Sequence, residues 1–410
     1  MGTSEKSVQL KVFVDKKKKK VMFAEADEDF VQILFSFFTL PLGTIAKLSR
    51  KHAGSNDIKI GSLTSLYESV INLDDKYFSN EHCKDALVNP SNSSASVCQK
   101  LKVNLDETKP IPTSVPGGQD GVVYLKKKAS FIITDDLNVA PVMLDTSIAL
   151  LNSLGVEYID LLDERTIYFG LEEFSNLLKW SLLTNNPLTN LVLGGNKPLS
   201  CLCSCSSCVK NSVSDSTLIL SNSRQTQTVK LLVQKSKKKV LCAQVENRFV
   251  ELLFSFLTIP LGAYERLTKD HSSSVGITNL YNSISRLGDE KYLKTEDVKT
   301  MLLRPKLAAN YLRVTNLLPI YEVDTRPGSF LKEQSTFIVS DDLEVSASPS
   351  IATILKFNTL GVPVGDIEVL DVSIGEHEAL LILKASLTSE LALTDCLNEI
   401  RKKPKSNSST

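Results

Sequence analysis

The sequence has no apolar run long enough to cross a membrane, no surplus of either charge, and few cysteines for its length. A membrane helix needs about 18 largely apolar residues in a row. The most apolar stretch, Phe30 to Leu42, is broken by Gln32, Ser36, Thr39 and Pro41. The opening residues MGTSEKSVQL lack the apolar core of a secretory signal. Lys6 stands where an N-myristoylation pattern requires Ser or Thr. These absences give the expectation of a cytoplasmic or nuclear protein. In such a compartment the sequon Asn92-Ser93-Ser94 goes unglycosylated, and the 8 cysteines are free thiols or metal ligands rather than a disulfide frame. The 47 Lys+Arg balance 47 Asp+Glu, which argues against a surface that follows nucleic acid along its whole length. A local basic patch remains compatible with that balance.

Catalytic frames are missing as well. There is no G-x-S-x-G elbow, and the histidines, His52, His82, His271 and His377, are scattered without metal-type spacing. Gly194-Gly195-Asn196-Lys197-Pro198 lacks the frame of a phosphate-binding loop, and Pro198 removes a backbone donor that such a loop uses. Gly117, Gly118 and Gly121 fit a loop rather than a dinucleotide fingerprint.

What is present is a duplication. At about 150 residues per domain, 410 residues make two or three folded units. KVFVDKKKKKVMFAEADEDFVQILFSFFTLPLG, beginning at Lys11, returns without a gap as KLLVQKSKKKVLCAQVENRFVELLFSFLTIPLG, beginning at Lys230. The correspondence continues through SLYESVINL and NLYNSISRL, SFIITDDLNV and TFIVSDDLEV, and NSLGV in one half with NTLGV in the other. This organises the chain as a first unit at 8–195, a Ser/Cys-rich linker at 196–227, a second unit at 228–400 and a basic tail at 401–410.

Each unit reads as α+β. Two short β-branched and aromatic runs, Leu10–Val14 and Val21–Glu25, flank a lysine-rich tip and predict a hairpin. Asp27 or Asp29 then caps a helix with Phe30, Ile33, Leu34, Phe37 and Phe38 at helical spacing, which Pro41-Leu42-Gly43 terminates. A second helix is expected over Leu63–Leu73. A strand at Ser130–Thr134 turns at Asp135-Asp136 and pairs with Val139–Met143. Helices near Ser147–Leu154 and Leu171–Leu183 close the unit, making about four helices per repeat. Strands and helices mix without a βαβ rhythm, which favours α+β over a doubly wound sheet. The phenylalanines of the first helix, with Phe249, Phe254 and Phe256 in the second copy, are expected in the core and at the contact between units.

The hairpin K-(F/L)-x-V…K-K-K-V, the helix end F-V-x-x-L-F-S-F-x-T-x-P-L-G, the (T/S)-D-D-L-x-V strand and the closing L-L-K-x-S-L…L-T helix form a specific set. With them the chain resembles a plant family known only as a domain of unknown function, number six hundred and seventy-four, in two tandem copies. The resemblance implies CxxC-type cysteine pairs in the loop after Ala86–Pro90. This chain has only Cys98 there, and none in the matching loop from Lys306 to Pro327.

Four features invite chemistry. Cys201, Cys203, Cys205 and Cys208 in the linker could bind zinc or copper through thiolates, or be oxidised or acylated, or belong to a plain linker. The lysine runs Lys16–Lys20 and Lys235–Lys239 could grip phosphates, or be solvated hairpin tips. The tail Arg401-Lys402-Lys403-Pro404-Lys405 resembles a nuclear import signal. Asp135-Asp136 and Asp341-Asp342 could hold Mg²⁺ or act as acid and base, but adjacent strand residues face opposite ways and Asp at a turn bonds its own backbone. The preferred reading is a non-enzymatic scaffold for a protein partner, with a thiol-based metal or redox role as the alternative. The sequence leaves the partner's identity and the oligomeric state open.

Overall fold

The computed structural model describes residues 7–51, 59–106, 124–126, 129–194, 226–269, 275–288, 291–307, 312–313, 317–320, 326–332, 335–347 and 361–402, with single positions at 351, 355, 357 and 359. In the first unit, β1 (Val8–Asp15) and β2 (Lys20–Asp27) form the expected hairpin. Asp15 closes its tip by accepting the N–H groups of Lys17 and Lys18 at 2.9 and 3.0 Å, and Lys19 takes φ of +49°. β3 (Ser130–Thr134), β4 (Val139–Pro141) and β5 (Asp163–Phe169) complete an antiparallel sheet in the order β4-β3-β2-β1-β5. The second unit repeats it with β6 (Gln227–Gln234), β7 (Lys239–Glu246), β10 (Thr336–Ser340), β11 (Val345–Ala347) and β12 (Ile367–Ile374), ordered β11-β10-β7-β6-β12. Between them β8 (Leu312–Arg313) and β9 (Arg326–Pro327) make a small parallel pair. β5 and β12 were not foreseen from the sequence.

The helices of the first unit are α1 (Glu28–Ser36), α2 (Leu42–Lys51), α3 (Leu63–Asn72), α4 (Glu81–Val88), α5 (Ala95–Cys98), α6 (Leu144–Ser153), α7 (Leu171–Leu183) and α8 (Pro187–Leu193). Those described in full in the second are α9 (Asn247–Phe256), α10 (Leu261–Thr268), α11 (Val275–Arg286), α12 (Glu296–Leu303), α13 (Glu376–Thr388) and α14 (Ala392–Lys402). The fold is α+β, with more helices per unit than expected because the loops carry short ones. Asp27 is the cap of α1, its carboxylate accepting the Phe30 N–H at 3.0 Å.

The Pro41-Leu42-Gly43 expectation needs correction. α1 already ends at Ser36, Phe37 and Phe38 lie in a 3-10 turn, and Leu42 opens α2. Gly43 is not a left-handed cap; a Cβ on it would lie 3.0 Å from the Leu257 carbonyl oxygen of the other unit. Its counterpart Gly262 is tighter, at 2.7 Å from the Leu302 carbonyl oxygen and 3.1 Å from that of Phe38. The P-L-G motif is therefore where the two chain halves touch backbone to backbone. There Pro41 bridges Pro260, Leu42 N–H donates to Ile259 O at 2.9 Å, and Leu261 N–H donates to Leu40 O at 2.9 Å.

The seam is reciprocal along its length. Extended residues around Leu125 pair with those around Leu293, and residues around Leu331 pair with those around Phe78. Lys294 N–H donates to Tyr124 O and Lys126 N–H to Tyr292 O, while Ser79 N–H donates to Phe330 O and Lys332 N–H to Tyr77 O. Buried side chains at equivalent helix positions hold the two segments. Gln32 Oε1 accepts Leu125 N–H at 3.2 Å, and Glu251 accepts the N–H groups of Phe330 and Leu331 at 3.0 and 2.6 Å. α11 packs beside β4 of the first sheet, and α3 beside β11 of the second. Each sheet thus receives a helix from the opposite half. Phe38 meets Tyr281 at 5.4 Å between ring centroids and Phe78 meets Phe254 at 6.4 Å, so one continuous apolar cluster runs through both units. The phenylalanines serve the core and the contact between units at once.

Each sheet is also covered on its outer face. Phe13, Met22, Phe23 and Ile132 pack under Leu150, Leu151 and Leu154 of α6 and its C-terminal turn. In the second unit Cys242 and Ile338 lie with Phe357 and Val362.

Candidate functional site

The T-D-D turn between β3 and β4 and its S-D-D counterpart between β10 and β11 each gather several polar groups. Thr134 uses its hydroxyl twice, donating to Asp136 and accepting the Asn138 N–H at 3.0 Å. Ser340 does the same with Asp342 and the Glu344 N–H. These turns force Leu137 and Leu343 to φ of +61° and +62°, and both side chains are fully buried. A left-handed leucine costs roughly 1–2 kcal/mol, offset here by the apolar burial that follows.

The two aspartates of each pair point apart. Asp135 is buried and accepts the N–H and hydroxyl of Thr189, both at 2.7 Å. The same hydroxyl accepts the Val21 N–H at 2.9 Å. Asp341 holds Thr394 identically, at 2.8 Å for both bonds, and Thr394 accepts the Val240 N–H at 2.9 Å. Each buried aspartate therefore clamps the closing helix, the hairpin and the turn together. Burial pushes both carboxyls up, Asp341 to about 6, against the lowering effect of the threonine bonds.

The second aspartates face the other unit. Asp136 accepts Asn279 Nδ2 at 2.9 Å, and Asp342 accepts the Ser65 hydroxyl at 2.8 Å. Beside them Val139 N–H donates to Ser283 Oγ at 2.9 Å and Val345 N–H to Ser69 Oγ at 2.7 Å. All four carboxylates are thus engaged within the protein, but not with the backbone of their own turns as expected: the Thr134 and Ser340 hydroxyls take those N–H groups, which leaves the aspartates for Thr189, Thr394 and the other unit. In an Asp136→Ala and Asn279→Ala double-mutant cycle, urea denaturation should give a coupling of about 1.5 kcal/mol, the value of a hydrogen bond to a charged acceptor. Additive single effects would remove this bond from the account of the seam.

A cleft of about 310 Å³ opens beside the first clamp, lined by Lys20, Met22, Thr134, Asp135, Asp136, Leu154, Asn185 and Asn186. Lys20 Nζ stands 3.9 Å from Asp135 Oδ2. In the second unit Glu390 and Leu391 occupy the places of the two asparagines.

The lysines of the first tip are exposed, and two of them are locally paired. Lys16 lies 3.0 Å from Asp163 and Lys18 lies 3.6 Å from Asp15. The Lys16 contact, followed by that of Arg165, holds the Asp163 carboxyl below its usual range. Exposed pairs of this kind contribute little to stability, but they subtract from the positive charge a phosphate would meet.

The described cysteines, Cys83, Cys98, Cys242 and Cys396, are all buried. Burial pushes the Cys242 thiol up to about 11 and that of Cys396 to about 12, so these groups stay protonated and poorly nucleophilic. Cys98 lies 3.4 Å from the Thr39 hydroxyl and 3.6 Å from that of Tyr124, inside a small polar network. Cys201, Cys203, Cys205 and Cys208 fall outside the described residues, as do His52 and His271. Among the described residues no group of three or more His, Cys, Asp or Glu side chains is placed to hold a metal ion. Nor, among them, is any helix long and apolar enough to cross a membrane.

Among the residues that escaped the sequence reading are Gln32, Glu251 and Glu265. Each is polar within an otherwise apolar helix face, which is the one signal that could have marked them. Glu265 is buried in α10 with the Thr278 hydroxyl donating to it at 3.0 Å, and burial raises its carboxyl to about 7.

A duplicated α+β body with T-D-D clamps and a P-L-G seam agrees with the family resemblance. The family model described as "Protein of unknown function (DUF674)" matches residues 4–115, 113–327 and 321–410. The chain belongs to that family, with repeated copies. No curated protein and no solved structure shows a significant match to it.

Proposed function

We propose that the protein is a non-enzymatic interaction scaffold that offers the outer faces of its two units to protein partners. One observation carries this reading. Every exposed large hydrophobic side chain among the described residues, Leu391 excepted, lies between Val142 and Tyr168 or between Ile351 and Val369. These are corresponding stretches, running from the end of the T-D-D turn strand into the edge strand of each sheet. Leu144 is 83% exposed, Leu161 and Ile351 are 74% exposed, and Ile148, Tyr158 and Ile159 accompany the first two. Scattered apolar side chains need no explanation, but their concentration in two corresponding stretches of the chain is what a repeated binding surface would produce. The engagement of the T-D-D and S-D-D carboxylates with neighbouring side chains supports the non-enzymatic half of the reading.

The test compares the full chain with a Leu144→Ser, Ile148→Ser, Leu161→Ser variant as bait in lysate of the source cells, read by quantitative mass spectrometry. Partners should fall at least tenfold while the urea midpoint stays close to that of the parent, since exposed substitutions have small stability effects. An unchanged partner set would overturn the outer-face assignment. Turnover of a defined metabolite by the pure protein would overturn the non-enzymatic one.

A further inference from the structure

The seam between the units has the form of a contact between two copies of one molecule. In such an isologous interface each contact occurs twice with the partners exchanged. Here Asp136 reaches Asn279 of α11 while Asp342 reaches Ser65 of α3. Val139 N–H meets Ser283 while Val345 N–H meets Ser69. Leu42 donates to Ile259 while Leu261 donates to Leu40. Leu125 bridges Leu293 while Leu331 bridges Phe78. Residues 195–225 connect the two units in sequence.

We infer that this seam is a self-pairing surface, on which the first unit of one chain accepts the second unit of another copy, giving a reciprocal swapped dimer. The contacts in such a dimer are those of the single chain, because the same two surfaces meet. The choice between the two forms then rests on effective concentration, set by the connecting residues, against the concentration of other chains. Residues 195–225 reach up to about 100 Å when fully extended, so the connection itself does not confine a unit to its own chain. The partner is specific in chemistry: the seam asks for a β10–β11 turn carrying Asp342, a helix carrying Asn279 and Ser283, and a P-L-G segment. Another copy of this chain supplies all three.

The experiment uses the full chain with a protease recognition sequence placed within residues 205–215. Cleaved in its native state, it should remain one particle of 45.2 kDa plus the inserted site, holding both fragments in native mass spectrometry. Fragments that separate without denaturant would overturn the inference. Refolded from urea at rising concentration, the uncleaved chain should give a dimer fraction that grows with concentration. Cleaving that dimer should halve its mass, because each half-particle then contains one first unit and one second unit from different chains. A dimer that keeps its mass after cleavage would be joined by some other surface. That result, or the absence of a dimer at every concentration, would overturn the exchange.

Discussion

Replacing Glu265 with Gln is expected to stabilise the protein at pH 8 by about 3 kcal/mol and at pH 5 by only about 1 kcal/mol. Glu265 is buried, its bond from Thr278 is retained by the glutamine carbonyl, and its carboxyl is raised from 4.5 to about 7. A raised carboxyl binds its proton more tightly in the folded state. Its contribution is fully favourable below about pH 4.5 and is lost as pH climbs through about 7. The neutral amide does not titrate, so the difference between variant and parent grows across that window and then levels off. Urea denaturation of both proteins at several pH values measures the difference directly and cancels the titration of all other groups. A pH-independent difference would mean that Glu265 is ionised to the same degree folded and unfolded. The first unit carries Ala46 at the equivalent position, so this group has no counterpart there.

The second large effect is expected at the seam. Phe38→Ala removes a fully buried ring that meets Tyr281 of the other unit at 5.4 Å. Deleting such a ring should cost about 3–5 kcal/mol through lost burial and the cavity left behind. Because the apolar cluster is continuous, the loss should appear in both sheets. Amide hydrogen exchange of β1–β2 and β6–β7 should accelerate together under conditions of global opening. A variant in which only the first hairpin loses protection would show that the halves unfold separately.

The sequence disclosed the parts of each unit more readily than their assembly. The hairpins were legible because β-branched and aromatic runs flank the lysine tips, and the Ser130–Thr134 strand because T-D-D supplies a turn. β5 was not legible: Asp163-Glu164-Arg165 is charged, as suits an edge strand with one unpaired side. β12 alternates well, but Glu368 and Asp371 interrupt it in the same way. The P-L-G motif by itself predicts a helix stop, because proline removes a donor and glycine accepts a left-handed cap. Only the close approach of Leu257 and Leu302 carbonyls shows that the glycines are there for want of a side chain. The seam was hidden for a deeper reason. The apolar stripe of α3 would look the same whether it packed on its own sheet or on its neighbour's, and periodicity does not distinguish the two.

The candidate site followed the same division. The aspartate pairs were visible, and turn chemistry was the favoured account of them. Their partners Thr189 and Thr394 sat in the closing L-T motif, yet nothing in spacing alone connected residues so far apart. The linker cysteines, the strongest chemical pattern in the sequence, lie outside the described residues.

The crossed extended segments around Leu125 and Leu331 constrain how such a gene can drift after duplication. Ordinarily, one of two tandem copies is free to degenerate or specialise while its sibling preserves the original role. Here each copy supplies part of the other's framework, so neither can be discarded or trimmed without damaging its twin. Change at the shared boundary is therefore held to side chains that keep the same bond, as Ser65 and Asn279 do, while the cleft beside Asn185, where the second copy carries Glu390, is freer to diverge.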